Sequence, residues 1–135
     1  LFEGPALAKG GEGRTDVLPV LHHHGPELDP DGAVERHVFR LFVPENFARF
    51  DGHFANWPVL PGVATLHDAV MAQVQALHPE LGQPNRVRNL KFHRVVGPNV
   101  ELEVRLAFRP GRVDFEVAEG SELTASGRLL FEGFQ

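Results

Sequence analysis

One segment of the chain can form a long helix, and the segments on both sides of it have the pattern of β-strands. Residues 62–78 contain no internal proline or glycine, and their apolar side chains recur at spacings of three and four. Alanine fills much of the remaining helix surface, so the helix is apolar on several sides and should be surrounded by other structure. Pro79 ends it.

The strand-like segments fall unevenly around this helix. Two strands are predicted before it, at 17–23 and 33–43, and four are predicted after it. The four later strands are predicted at 86–95, 100–108, 113–117 and 123–131. Because this order excludes a run of parallel βαβ units, we predict an α+β fold in which an antiparallel sheet of about six strands wraps around one long central helix.

Length and composition indicate one folded domain. The chain has 135 residues, of which 42% are hydrophobic and 23% charged, as in ordinary globular proteins. Residues 1–15 are rich in glycine and charge without a sustained period, which is typical of a flexible tail. We therefore predict a flexible N-terminal tail at 1–15 and a single domain at 16–135.

Charge and cysteine content exclude several classes of function. The net charge of -5 and the dispersed Lys and Arg residues argue against a nucleic-acid partner. The absence of cysteine excludes disulfides, thiolate metal sites and cysteine nucleophiles, and it suits a cytoplasmic protein.

No apolar run approaches the roughly 20 residues that span a bilayer, so no membrane partner is expected. His22 and His24 would share one strand face without a third ligand, so no metal site is expected.

The segment most informative about chemistry joins an aromatic, proline-rich loop to the start of the helix. His53 lies nine residues before Gly62, where the helix begins. The first N–H groups of a helix lack internal partners and lie at its positive end, so they can stabilise an oxyanion, and Gly62 leaves room for a substrate to approach. A neutral imidazole beside them can remove a proton from the carbon next to a carbonyl. These residues therefore predict enolate chemistry.

The same segment resembles the 3-hydroxyacyl-acyl-carrier-protein dehydratase family, whose motif runs Gly-His-Phe-Pro-x-x-Pro-x-x-Pro-Gly-Val. The matching positions are Gly52, His53, Phe54, Pro58, Pro61, Gly62 and Val63. The resemblance implies a hot-dog fold, a homodimer and the removal of water from a 3-hydroxyacyl thioester. It would make His53 the catalytic base and the Gly62 amide the donor to the thioester carbonyl. The substrate would be carried on the phosphopantetheine of acyl carrier protein or as a coenzyme A thioester, with no other cofactor.

Two positions depart from the family motif. Ala55 replaces a proline, and His67 stands four residues after Val63, where the family has its catalytic Glu. On a regular helix His67 would share the side of Val63, Val70 and Val74, whereas Asp68 would point elsewhere. We therefore predict that His67 is the second catalytic residue. The sequences Phe-Asp-Gly-His-Phe and Leu-Pro-Gly-Val also resemble the branch of the family associated with aryl-polyene-type pigments.

Other side chains are candidates for binding. The predicted substrate-binding residues are Gly62, Phe54, Trp57, Pro61, Val63 and Asp68. The loop aromatics either line an acyl pocket or form a private core of the loop; they are Phe47, Phe50, Phe54 and Trp57. A basic group either receives the acidic carrier protein or is a solvated strand face; it comprises Arg86, Arg88, Lys91 and Arg94.

Two alternative functions remain open at the level of sequence. A hot-dog thioesterase needs a carboxylate to activate or position water, and Asp68 is the nearby candidate on the helix. A non-catalytic acyl-binding or partner subunit would keep the cleft after losing the family Glu. Product analysis separates hydrolysis from dehydration, and tight binding without turnover would indicate the third function.

Overall fold

The structure is a computed structural model that describes residues 15–50 and 60–131. Nearly all of the predicted N-terminal tail, together with the loop that contains His53, lies outside the described residues. The described ranges contain the sheet and the central helix.

The sheet has six antiparallel strands, as the sequence predicts. The strands are β1 Val20–Leu28, β2 Glu35–Val43, β3 Arg86–Phe92, β4 Val100–Arg109, β5 Arg112–Glu119 and β6 Glu122–Leu130. Their order in the sheet is β1-β2-β4-β5-β6-β3, so β1 and β3 form its two edges. Apolar and polar residues alternate along the central strands, which places one face of the sheet on the core.

The central helix, α1, is continuous but not uniform. Its consecutive segments are α-helical Gly62–Ala64, π-helical Thr65–Met71 and α-helical Ala72–Leu77. Short 3₁₀ turns lie at Ala48–Phe50 and Pro79–Leu81. The inner face of α1 joins the sheet in one core, to which Val70, Val74, Leu102, Val104 and Leu106 contribute side chains no more than 2% exposed. The predicted helix wrapped by a sheet is confirmed.

The first strand differs from its predicted range of 17–23. β1 continues through Gly25 and Pro26 to Leu28, and its pairing with β2 is irregular between His24 and Glu27. A proline has no N–H for the ladder, so it is tolerated in an edge strand at such an irregularity. The edge position, which the local sequence does not reveal, is the reason that the strand continues past its predicted end at residue 23.

A chain of imidazoles and carboxylates ties the end of α1 to the sheet. Glu35 Oε2 lies 2.7 Å from His37 Nε2 and 3.0 Å from His78 Nε2. His78 Nδ1 lies 3.0 Å from Glu80, and His37 Nδ1 lies 2.8 Å from His23 Nε2. Because carboxylates only accept hydrogen bonds, both ring nitrogens of His78 must donate, which is the pattern of an imidazolium. His37 is 2% exposed and donates to Glu35 through Nε2; in a neutral His37 ring, Nδ1 would then accept the hydrogen bond from His23.

The pKa values of the residues in this hydrogen-bonded network follow from their contacts. Burial alone would lower the pKa of His78, but the hydrogen bonds and charges of Glu35 and Glu80 outweigh burial and raise it. Burial alone would raise the pKa of Glu35, but the hydrogen bonds from His37 and His78 lower it. Burial, and then the neighbouring histidines, lower the pKa of His23. The network is therefore most favourable with Glu35 ionised and His78 protonated.

We expect the network to make the stability of the protein depend on pH. The contribution of His78 is complete below its unfolded pKa of about 6.5 and is lost as pH rises through its raised folded pKa. The contribution of Glu35 is present above its unfolded pKa of about 4.3 and is lost as pH falls through its lowered folded pKa. His78→Gln should therefore lower the free energy of unfolding by about 1 kcal/mol between about pH 4.3 and about pH 6.5, and by progressively less at alkaline pH.

Urea unfolding of both proteins across a pH series measures this difference. His93→Gln is the matched control, since His93 is an exposed histidine whose ring lies 3.5 Å from Ser126 Oγ. A stability loss in His78→Gln that stayed constant from pH 5 to pH 9 would contradict the assignment.

Candidate active site

The start of α1 is held by backbone contacts. Leu60 N–H donates to Val96 O at 2.6 Å, and Thr65 N–H donates to Pro61 O at 3.0 Å. Pro61 has an extended ψ of 146° and so marks the point where the chain turns into the helix. The predicted helix start at Gly62 is thus observed, and the bridge between Leu60 and Val96 fixes its position against the sheet.

Gly62 is in close contact with an aromatic ring. A Cβ at this position would lie 2.9 Å from ring atoms of Phe92 on β3. Glycine therefore lets the half-exposed ring lie directly against the first turn of the helix. An oxyanion site at the Gly62 amide would lie beside the ring of Phe92, which was not among the predicted substrate-binding residues.

Exposed apolar side chains occur in the first turn of α1 and on or just after β3, the strand whose Phe92 contacts Gly62. Val63 is 76% exposed, Val95 is 71% exposed, and Leu90 and Phe92 are also exposed. We call these four residues the apolar patch. Isolated exposed apolar residues are normal, but several of them beside a candidate site indicate a surface that binds a ligand or another protein chain.

Asp68 is the buried charge of the helix. Its side chain is 7% exposed and pairs with Arg49, whose Nε lies 2.9 Å from Oδ2 and whose Nη2 lies 3.4 Å from Oδ1. His67 Nδ1 lies 3.1 Å from the same Oδ1. The hydrogen bond and charge of Asp68 raise the pKa of Arg49. Both carboxylate oxygens are therefore engaged within the protein.

The predicted faces of the helix need correction. His67 was expected to share a side with Val63, Val70 and Val74, but its side chain is 72% exposed while Val70 and Val74 are fully buried. Val63 does share the exposure of His67. The Ala72 N–H bonds to His67 O, five residues earlier, and this wider π turn shifts the helix phase between His67 and Val74. A uniform period of 3.6 could not predict that shift.

The other predicted site residues divide into three groups. Gly62, Pro61, Val63, His67 and Asp68 lie together in the first turns of α1 or at its start. His53, Phe54 and Trp57 lie outside the described residues. Phe47 and Phe50 are buried and meet edge to face at 6.3 Å between ring centroids, so these two belong to the core instead of an acyl pocket.

Two cavities lie away from this helix start. One, of about 590 Å³, is a groove on the outer face of the sheet that includes Arg36, Lys91, Arg105, Arg109 and Arg128. The other, of about 210 Å³, lies by the end of α1 and includes Glu35, His78, Phe108 and Phe131. His67 lines neither of them. Among the described residues no group of three side chains suited to a metal ion occurs.

Arg49 is the site residue that sequence reasoning missed. An aspartate within an apolar helix has to find a cation or another donor, because an unpaired buried charge is costly. That rule predicts that Asp68 has a cationic partner. It does not say which of the thirteen Lys and Arg residues is the partner. The turn at Ala48–Phe50 brings Arg49 to it, a contact across 19 positions that no local pattern indicates.

The fold defines the class of the protein. A six-stranded antiparallel sheet around one central helix is the hot-dog architecture predicted from the sequence. The chain belongs to the ApeI-like dehydratase family, whose model, described as ApeI dehydratase, matches residues 30–128. It is thus a member of a family of lyase-type dehydratases.

Curated relatives agree with this membership. The 3-hydroxyacyl-acyl-carrier-protein dehydratase FabZ of Thermus thermophilus is 33% identical, over 86% of this chain and 93% of that protein. The dehydratase of the same name from Moorella thermoacetica is 34% identical, over 85% of this chain and 92% of that protein.

Solved structures share the fold. The dehydratase heterocomplex ApeI:P from Xenorhabdus doucetiae matches with a TM-score of 0.69 and 20% identity, over 84% of this chain and 96% of that one. An uncharacterized protein from Erwinia carotovora matches with a TM-score of 0.71 and 23% identity, over 84% and 94% of the two chains. At these identities the matches establish the hot-dog fold alone.

No helix among residues 15–50 and 60–131 combines the length and the apolar character needed to cross a membrane.

Proposed function

We propose that the protein dehydrates a 3-hydroxyacyl thioester carried on acyl carrier protein to the 2-enoyl thioester. The observation that carries this proposal is the placement of an exposed His67 one turn beyond the Gly62 helix start, beside the apolar patch, at the position where the resembled family has Glu. An acyl thioester has an apolar chain and a carbonyl oxygen, and this surface offers apolar contacts and the first amides of a helix for them.

In the proposed reaction, His53 takes the C2 proton and the developing enolate oxygen accepts hydrogen bonds from the first amides of α1. The electron pair then forms the C2–C3 double bond while the C3–O bond breaks. The leaving hydroxyl takes the Nε2 proton of a protonated His67 and departs as water, which leaves His67 neutral and His53 protonated; exchange with solvent then restores both rings. The substrate would be held on phosphopantetheine, and the protein's own side chains would supply every proton transfer.

Short 3-hydroxyacyl and 2-enoyl thioesters test the proposal when mass and free thiol are followed together. Dehydration removes the mass of one water and leaves the thioester intact, and the enoyl substrate should be hydrated in reverse. Release of free thiol would indicate the thioesterase. Tight carrier binding without turnover of either substrate would favour a non-catalytic partner subunit.

The contacts of Asp68 disfavour the thioesterase. A carboxylate that activates water must reach it, yet Asp68 is 7% exposed and its two oxygens accept from Arg49 and His67. Hydrolysis through Asp68 would require this arrangement to open. We therefore keep dehydration as the proposed reaction.

We further propose a homodimer formed through the apolar patch and the edge strand β3. The edge of β3 presents unpaired backbone groups, and a second copy can cover both the edge and the patch. Val95→Glu should shift sedimentation at micromolar concentration from dimer to monomer, because a buried unpaired carboxylate is unfavourable. Val17→Glu is the control, since Val17 is 66% exposed and lies before β1, at the other edge. A wild-type protein that sediments as a monomer would contradict the proposal.

For the carrier protein we propose docking on the basic side of β3. Arg88 lies directly opposite Arg128 in the sheet, and Lys91 lines the outer groove. Arg128 is already paired with Asp114 at 2.8 Å, so the charges offered to an acidic partner are those of the exposed Arg88 and Lys91. Arg94 is less available because it pairs with Glu122 at 3.0 Å.

A double variant tests this docking surface. Arg88→Glu with Lys91→Glu should raise KM about tenfold for the carrier-bound substrate, about 1.4 kcal/mol, and leave KM for a small carrier-free thioester unchanged. Arg40→Glu is the control, since Arg40 is an exposed residue of β2 that faces Glu101. Equal KM increases for the two substrates would contradict carrier docking here.

A further inference from the structure

The Arg49–Asp68 pair has a geometry suited to holding a neighbouring side chain. Arg49 presents two nitrogens to the two oxygens of Asp68, at 2.9 and 3.4 Å, and so fixes the plane of the carboxylate. The backbone that carries Arg49 is anchored in the core, because the nearby side chains of Phe47 and Phe50 are buried. Ala48 N–H also donates to Thr15 O at 2.9 Å.

The same carboxylate determines how His67 is oriented. Asp68 Oδ1 can only accept, so the 3.1 Å contact requires a proton on His67 Nδ1. In the neutral ring this leaves Nε2 without a proton. Since the side chain is 72% exposed, Nε2 is the nitrogen available to a substrate or to a water.

We propose that Asp68 and Arg49 are positioning residues for His67: Asp68 holds the Nδ1–H tautomer and the ring orientation, and Arg49 holds Asp68. This inference rests on the proposed function for its catalytic consequence, but the tautomer and orientation are properties of the free protein. In this proposal Asp68 acts on His67, in place of its predicted role in binding the substrate. The His67 ring, at the position of the family Glu, is thus hydrogen-bonded to the Asp68 carboxylate.

The arrangement has a chemical consequence for the proposed reaction. With Nδ1 committed to Asp68, a neutral His67 offers Nε2 as an acceptor, and a protonated His67 offers Nε2–H as a donor to the leaving hydroxyl. In either state one nitrogen alone meets the substrate. Loss of the pair would let the ring rotate and exchange tautomers, so the fraction of molecules with the productive nitrogen in place would fall.

The direct test is the nitrogen spectrum of the His67 ring. At a pH where the ring is neutral, ¹⁵N chemical shifts of the wild-type protein should show protonated Nδ1 and unprotonated Nε2. Asp68→Ala should return His67 to a mixture of tautomers, and Arg49→Gln should do so in part. A wild-type ring protonated at Nε2, or an Asp68→Ala spectrum identical to wild type, would overturn the proposal.

Kinetics provide the second readout. Arg49→Gln should lower kcat about tenfold, a fraction of the roughly 10²–10⁴ that an acid or base supplies, with KM changed less than about twofold. Arg49→Lys keeps the charge without the fork and should recover part of that loss. Arg40→Gln removes an exposed arginine paired with Glu101 and should leave both parameters unchanged.

The two readouts separate the two proposals. A protein with the expected tautomer but no dehydratase activity would retain the positioning pair and refute the proposed function. Dehydratase activity that Arg49→Gln and Asp68→Ala leave at wild-type kcat would refute the positioning role. Asp68→Asn keeps an acceptor oxygen for Nδ1, so it should retain more of the wild-type tautomer than Asp68→Ala; if Asp68→Ala does not fold, the wild-type and Arg49→Gln spectra decide.

Discussion

Replacing His53 with alanine is expected to abolish turnover and to leave the fold intact. A positioned general base supplies about 10²–10⁴ in rate, and loss of the group that starts the reaction should reach about 10³ or more. Because His53 is predicted to lie in a loop, it should contribute little core area, and the unfolding free energy should change by about 0.5 kcal/mol or less. Single-turnover assays with a 3-hydroxyacyl thioester measure the rate, and urea unfolding measures the stability.

The matched control is His24→Ala, which removes an exposed histidine from the edge strand β1. It should retain wild-type turnover. A folded His53→Ala protein with wild-type rates would show that His53 is a structural residue and would remove the base from the proposed mechanism.

The second large effect is expected at His67, where the resembled family has Glu. His67→Ala should lower the rate by about a hundredfold or more, within the range for removing a general acid or base. Since the side chain is 72% exposed, the substitution creates no cavity and should cost little stability. His67→Glu should retain or raise activity, because a carboxyl group at this position restores the acid of the family motif.

The His67→Glu variant makes the prediction specific. The introduced carboxylate would lie beside the buried Asp68 carboxylate, so part of its gain would be offset by repulsion unless the new side chain turns toward solvent. Ordinary turnover by a well-folded His67→Ala protein would refute a catalytic role for His67. An inactive His67→Glu protein together with an active wild type would indicate that the imidazole itself is required.

Local sequence was sufficient for most of the regular elements, β1 excepted. β4 lies at Val100–Arg109 against a predicted 100–108, and α1 ends at Leu77, just before Pro79. Alternation with a period of two, and a long run free of proline and glycine, are local consequences of backbone geometry. They need no partner to be recognised. The same holds for the motif from Gly52 to Val63, whose resemblance predicted the family that the comparisons establish.

The contacts of the candidate site were beyond local sequence. A regular helix predicts His67 beside Val70, whereas the π segment turns His67 outward and Asp68 inward. The widening of a turn depends on how the whole helix packs against the sheet, which a window of a few residues does not contain.

The sequence by itself therefore determined the order of strands and helix, the antiparallel sheet around that helix, and the resemblance that names the family. Tertiary structure alone decided that Arg49 pairs with Asp68, that Asp68 holds His67, and that Glu35 joins β2 to His78. The physical reason is one of distance along the chain. Backbone periodicity acts between neighbours, whereas a buried charge is satisfied by whichever donor the completed fold brings within about 3 Å.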